Sequence, residues 1–160
     1  MSALDLTLDV TREAGAWETL GDIEGLCARA AEAALVVAGV EGLVALELLL
    51  TDDSAIREIN REWRHRDEPT NVLSFPAAPA PGYPGPRRLG DVVLAFETLA
   101  REAQAEGRPL ADHAAHLLAH GVLHCLGYDH DQDAAAEEME ALETRAMALI
   151  GVPDPYAGTP

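Results

Sequence analysis

His120-Gly121-Val122-Leu123-His124-Cys125-Leu126-Gly127-Tyr128-Asp129-His130 is the stretch on which the reading of this chain turns. Two histidines stand four residues apart, so on a helix both imidazoles share one face. Gly127 follows where a left-handed residue ends a helix, and such a turn swings His130 back toward the same point. Three neutral imidazole nitrogens converging on one point, with a fourth position open, describe a catalytic zinc site. The expected ligands are therefore His120, His124 and His130, holding one ion per chain. Nickel and copper also accept imidazole donors, so zinc is the favoured ion and not the sole candidate.

Working outward along the same helix, His113, His116, His120 and His124 fall within an arc of about 80°. Ala111, Ala115, Leu118, Val122 and Leu126 lie opposite and make the natural core face. The histidine face then looks toward a cleft or water. His116 and His120 are also four apart, but only His120 and His124 connect through Gly127 to His130. His113 and His116 are expected as partly exposed helix residues, with support of the metal ligands or contact with substrate as their alternative roles. Cys125 points about 100° away from His124 and reads as packing. Asp129 fits two roles equally, a hydrogen bond to a ligating imidazole or a turn residue.

The histidine and glycine spacing matches the metzincin peptidase pattern H-E-x-x-H-x-x-G-x-x-H. It departs from it at Gly121, where the peptidases carry their general-base glutamate. An ion without that base still brings bound water to a pKa of about 7. The metal is retained in this reading, whereas peptide or amide hydrolysis would need another acid as base.

The remaining composition sets bounds. The chain has 160 residues, 48% of them hydrophobic, which suits one domain with an ordinary core. We expect that domain over residues 1–152, with a frayed tail at 153–160. No apolar run reaches the roughly 18 residues of a membrane span, and the first ten residues lack the pattern of a secretory signal. Cys27 and Cys125 give no disulfide framework, so a cytoplasmic protein with reduced thiols is expected. Net charge is −17, and all eleven basic residues are arginine. Such a chain is a poor general binder of nucleic acid and is not expected to bind DNA. The charge is uneven, however. Arg57, Arg61, Arg64 and Arg66 cluster, whereas Asp129 to Glu143 holds seven acids and no arginine. That acidic run reads as a solvated face.

Alternation at Leu4, Leu6, Leu8 and Val10 predicts a first strand. A helix is expected over Trp17–Ala38, closed by Gly39, and a buried strand over Leu43–Leu50. Thr51, Asp52, Asp53 and Ser54 offer cap oxygens for a second helix burying Ile56, Ile59 and Trp63, with Pro69 as its limit. Asn71–Phe75 and Gly90–Phe96 are the third and fourth strands. Between them, Pro76–Arg88 holds five prolines and two glycines in thirteen residues and is expected as a surface loop. Three helices complete the chain, at about Glu97–Glu106, Leu110–Leu126 and Ala134–Ile150. The last is capped by Asp133 and buries Met139, Leu142, Ala146 and Leu149. The whole predicts an α+β fold with a small mixed four-stranded sheet and about five helices.

Three blocks of this sequence together resemble one family. They are His120–His130 as quoted, Asn60-Arg61-Glu62-Trp63-Arg64 with Pro69-Thr70-Asn71-Val72-Leu73-Ser74-Phe75-Pro76, and Leu89-Gly90-Asp91-Val92-Val93; Met139 fits the same layout. In order and content, over about residues 43–150, they resemble the YbeY family of bacterial metal-dependent endoribonucleases of ribosomal RNA maturation. The resemblance implies a metal helix packed beside the sheet, zinc on His120, His124 and His130, and a functional arginine at Arg64. A guanidinium there would hold phosphoryl oxygens as negative charge builds on them; the plainer role for Arg64 is to complement the end of its helix. Thr70, Asn71 and Ser74 are candidate donors to a substrate phosphate. The implied activity is cleavage of single-stranded RNA in 16S rRNA maturation and ribosome quality control. The implied partners are ribosomal RNA and the small ribosomal subunit, with basic ribosomal proteins suited to the acidic surface. The general base is left open between metal-activated water and the RNA 2′-hydroxyl. A rival reading without catalysis is a ribosome assembly factor with a structural metal.

Overall fold

Alternating leucines in the first segment and a continuous apolar run in the second form neighbouring parallel strands, and the sheet grows from them. The structure, a computed structural model, describes residues 3–157. Strand β1 (Leu4–Arg12) is followed by a short 3-10 turn (Trp17–Leu20), α1 (Ile23–Val37), β2 (Gly42–Thr51), α2 (Asp53–Arg64), β3 (Val72–Pro76) and β4 (Arg87–Ala95). Then come α3 (Phe96–Glu106), α4 (Leu110–Cys125) and α5 (Asp133–Leu149). The strand order is β1-β2-β4-β3, with β1, β2 and β4 parallel and β3 antiparallel to β4. This is the mixed four-stranded α+β architecture expected.

One face of the sheet carries Val44, Leu46, Leu48 and Leu50 from β2 with Val92 and Leu94 from β4, all buried in the main core. Alanines Ala30, Ala31 and Ala34 on α1 and Ala114, Ala115 and Ala119 on α4 belong to the same core. Short side chains let these two helices lie close. The opposite face carries a smaller cluster in which Ile56 of α2 covers Leu73, Val93 and Ala95. Helix α4 is buried around more of its circumference than one apolar stripe predicts, since Leu117 and Leu123 are buried as well as Leu118 and Val122.

Gly121 fixes how α4 lies on the sheet. A β-carbon there would stand 2.8 Å from Val92 Cγ1, 3.1 Å from Ser74 Oγ and 3.2 Å from Val72 Cγ2. The helix therefore touches β3 and β4 through bare backbone. The Ser74 hydroxyl donates to the Gly121 carbonyl at 3.1 Å and ties the contact.

Several expectations are corrected. The helix expected from Trp17 is broken at Gly21 (φ 71°), and α1 starts after Asp22, whose carboxylate accepts from the Gly25 N–H at 3.0 Å. Trp17 is itself buried, and its indole N–H donates to the Ala14 and Thr51 carbonyls. Trp63 is 66% exposed instead of buried; Asn60 takes the inward position, donating to the Glu68 carbonyl at 2.9 Å. Helix α2 ends at His65 in the left-handed conformation, before Pro69 is reached. In α5, Met147 is buried and Leu149 is 59% exposed, and the N-cap is Gln132 without a side-chain bond. Strand β4 begins at Arg87, inside the expected loop.

The C-terminal segment is not frayed as far as it is described. Pro155 is buried, the Arg108 guanidinium donates to its carbonyl, and Asp154 Oδ1 accepts from Thr144 Oγ1 and the Tyr156 N–H. Residues 158–160 of the expected tail lie outside the described residues.

Candidate metal centre

Local sequence places the triad. At the end of α4, the Gly127 N–H bonds the His124 carbonyl at 3.0 Å and the Tyr128 N–H bonds the Leu123 carbonyl at 3.1 Å. These paired bonds, with Gly127 at φ 101°, form a Schellman turn. It reverses the chain so that His130 returns to the helix face carrying His120 and His124. One ligating atom from each of the three rings falls within a 4.8 Å group. His120 Nε2 and His124 Nε2 are 3.1 Å apart, close to the roughly 3.3 Å edge of a tetrahedron of nitrogens about 2.0–2.1 Å from zinc. His120 and His124 are half-buried and His130 is exposed, so solvent reaches the group. The three residues fit a divalent ion.

The electrostatics favour a neutral His124. Burial, reinforced by the neighbouring His120 and His130, holds the His124 imidazole below the usual histidine range. A metal needs that unprotonated form.

A residue outside the sequence reading organises the group. Glu143 of α5 is 1% exposed. Its Oε2 accepts from His120 Nδ1 at 3.0 Å, and its Oε1 faces His116 Nε2 at 2.5 Å and the Tyr156 hydroxyl at 2.6 Å. Burial by itself would raise its pKa, but the bonds from His116, His120 and Tyr156 prevail and hold it down at about 2. Glu143 looks like one more member of an acidic run. The available signal was its phase: it shares the stripe of Met139, Leu142, Ala146 and Met147, so an acid stands where a core residue belongs.

The upstream histidines are likewise not free helix residues. His113 is 4% exposed and pairs with Glu102 at 2.9 Å, and His116 is held by Glu143. Glu102 also accepts from the Asn71 side-chain amide at 3.1 and 3.2 Å. Asn71 thus borders a cleft shared with His116, His120 and Tyr156. Thr70 is partly buried at the entry to β3. The Ser74 hydroxyl is spent on the Gly121 carbonyl. Arg64 is exposed at the end of α2, and among the described residues no hydrogen bond or ion pair holds it. Asp129 Oδ1 accepts from the Asp131 N–H, the turn role of the two it offered.

Burial pushes both thiols, Cys27 and Cys125, up to about 12. Neither should therefore react quickly with a thiol reagent at mildly alkaline pH in the native protein. Both should react at once in concentrated guanidinium. Rapid native labelling of Cys125 would contradict its packing role.

The family model described as Endoribonuclease YbeY matches residues 12–151. A protein of Paramagnetospirillum magneticum named Endoribonuclease YbeY is 52% identical over 147 residues, covering 88% of this chain and 90% of that one. One of the same name from Sinorhizobium fredii is 47% identical over 169 aligned positions, covering 100% and 96%. The solution structure of a Thermotoga maritima protein superposes with a TM-score of 0.57 at 21% identity, covering 90% of this chain and 91% of that one, and so shares the fold. With the family model spanning nearly the whole domain and relatives near half identity over nine-tenths or more of their length, this chain belongs to the Endoribonuclease YbeY family.

Proposed function

We propose that this chain is a zinc-dependent endoribonuclease that cleaves single-stranded RNA in 16S rRNA maturation and ribosome quality control. The observation that carries the reading is the convergence of His120, His124 and His130, whose donor atoms lie within 4.8 Å of one another on a partly exposed face. Family membership supplies the endoribonuclease activity, and the triad supplies the means. Bound there, the ion would acidify a water and polarise a phosphoryl oxygen.

The chain's own residues then have defined tasks. Glu143 accepts a hydrogen bond from His120 Nδ1, which keeps the proton on that nitrogen and leaves Nε2 bare toward His124 and His130. The buried environment keeps His124 neutral. Arg64, exposed and unpaired among the described residues, is assigned to the phosphoryl oxygens, which a guanidinium can grip in pairs. Asn71, beside His120 in one cleft, is assigned to the substrate backbone, with Thr70 next to it. Ser74 would have to give up its bond to Gly121 in order to contact substrate, so its part is to seat α4. The attacking oxygen is that of the activated water or the RNA 2′-hydroxyl, and its proton passes to a base other than position 121, which carries no side chain.

Peptide or amide hydrolysis would need a base from elsewhere than position 121. That position faces Val72, Ser74 and Val92 and has no room for a base. A purely structural metal fits poorly with a ligand set that solvent reaches. The proposed partners are ribosomal RNA, the small ribosomal subunit and basic ribosomal proteins, which suit a chain of net charge −17. Among the described residues no helix is long and apolar enough to cross a membrane. Cys27 and Cys125 are free, which suits work beside ribosomes in a reducing cytoplasm.

The test is removal of metal. Protein stripped by a chelator should lose cleavage of a single-stranded ribosomal RNA fragment, and one equivalent of zinc should restore it. Unchanged cleavage by metal-free protein would reject the proposal.

A further inference from the structure

Glu143 stands among Met139, Leu142, Ala146 and Met147 on the buried side of α5, and among the described residues neither lysine nor arginine pairs with it. A carboxylate sunk in apolar surroundings costs stability even when its hydrogen bonds are made. Its bonding pattern shows what it does there. Oε1 is taken up by His116 and Tyr156, which leaves Oε2 to His120. The bond to His120 goes to Nδ1, so the ring's other nitrogen, Nε2, is the one standing 3.1 Å from His124 Nε2.

Tyr156 reaches this carboxylate from beyond α5. Its ring stands edge-on to His116, with centroids 5.5 Å apart at 85°. Its backbone is held by Asp154, which also binds Thr144, and the preceding Pro155 carbonyl is gripped by Arg108. Tyr156 and Glu143 line one cleft with His120 and His130.

We propose that Glu143 is the positioning residue of the metal centre, and that the C-terminal segment, through Tyr156, holds Glu143 in place. The segment is thereby part of the site. Glu143 fixes the tautomer and the ring plane of His120, as carboxylates behind ligating imidazoles do. His116 and Tyr156 stop the carboxylate from rotating off its target. The inference rests on the triad being the metal site, and its tests separate the two.

The first test needs no metal. Long-range ¹⁵N–¹H spectra of metal-free wild-type protein should show His120 protonated on Nδ1 and bare on Nε2. The opposite tautomer would overturn the proposal.

The second compares wild type, Glu143→Gln and Tyr156→Phe by zinc competition against a chromophoric chelator, by the visible spectrum of the cobalt-loaded protein and by thermal melting. Glu143→Gln should weaken zinc about 10- to 100-fold and alter the cobalt bands. Tyr156→Phe, which removes one hydroxyl and keeps the ring, should weaken zinc about 3- to 10-fold. Wild-type zinc affinity and cobalt bands in a folded Glu143→Gln protein would overturn it. Should that variant not fold, wild-type zinc affinity in Tyr156→Phe or the wrong tautomer in wild type would overturn it instead. Failure of wild-type protein to bind zinc at the triad would strike the reading beneath, and the tautomer would still judge the hydrogen bond.

Discussion

A His124→Ala variant is expected to cleave single-stranded RNA at least about 10³-fold more slowly than wild type and to retain no tightly bound metal. Lewis-acid stabilisation of a phosphoryl transition state is worth several kcal/mol, and each 1.36 kcal/mol is tenfold in rate. His124 is one corner of a triangle of rings, with centroids 4.5 Å from His120, 5.1 Å from His130 and 5.6 Å between those two, so its loss leaves only two of three ligands. The fold should survive, because the turn behind it is held by the backbone bonds of Gly127 and Tyr128. Single-turnover kinetics and metal content after gel filtration give the measurement. Cleavage by the metal-free variant within about tenfold of wild type would move the chemistry elsewhere.

The pH dependence of the metal-free protein follows from the same ring. The His124 pKa is lower in the fold than in the unfolded chain, so the unfolded state binds more protons below the ordinary histidine pKa of about 6.5. Stability should therefore fall as pH drops through that value. Loading with metal should oppose the loss, since protons and metal compete for the nitrogen.

The readable parts of this molecule were those set by local spacing. The i, i+4 histidines, the glycine turn and the third histidine lie within eleven residues, and backbone geometry alone brings them together. The strands were readable for the same reason, as alternation or continuous apolarity over a few residues. What stayed hidden depends on contacts between distant segments. Glu143 meets His120 across 23 positions, and Tyr156 meets Glu143 across the end of a helix. In sequence, both looked like solvated surface. Trp63 failed differently: its spacing suits a buried stripe, but Ile56 and Asn60 take the inward positions of α2, and Trp63 is left 66% exposed with its ring edge-on to Phe75 at 5.9 Å between centroids. The break at Gly21 was missed because apolar periodicity carries through a turn that the Asp22 cap interrupts.

Gly121→Glu is expected to abolish the folded state or nearly so, and to create no peptidase. The metzincin spacing makes this substitution tempting, since it restores the one residue in which the two patterns differ. The structure shows where the side chain would go. The first added carbon lies 2.8 Å from Val92 Cγ1, within reach of Ser74 Oγ and Val72 Cγ2. Val92 is fully buried and β-branched, so it has little freedom to withdraw. Gly121→Ala gains about 1 kcal/mol of helix propensity against an overpacking cost of about 1–3 kcal/mol. Its net effect should be a drop of a few degrees in melting temperature at most. Glutamate adds two methylenes and a carboxylate with no cationic partner in that interface. An uncompensated buried charge costs several kcal/mol more, which is most of what a domain of this size has. Expression, circular dichroism and melting of the two variants test the argument. A Gly121→Glu protein that melts within a few degrees of wild type would mean that α4 can lift from β3 and β4, and the close seating of the metal helix on the sheet would be wrong.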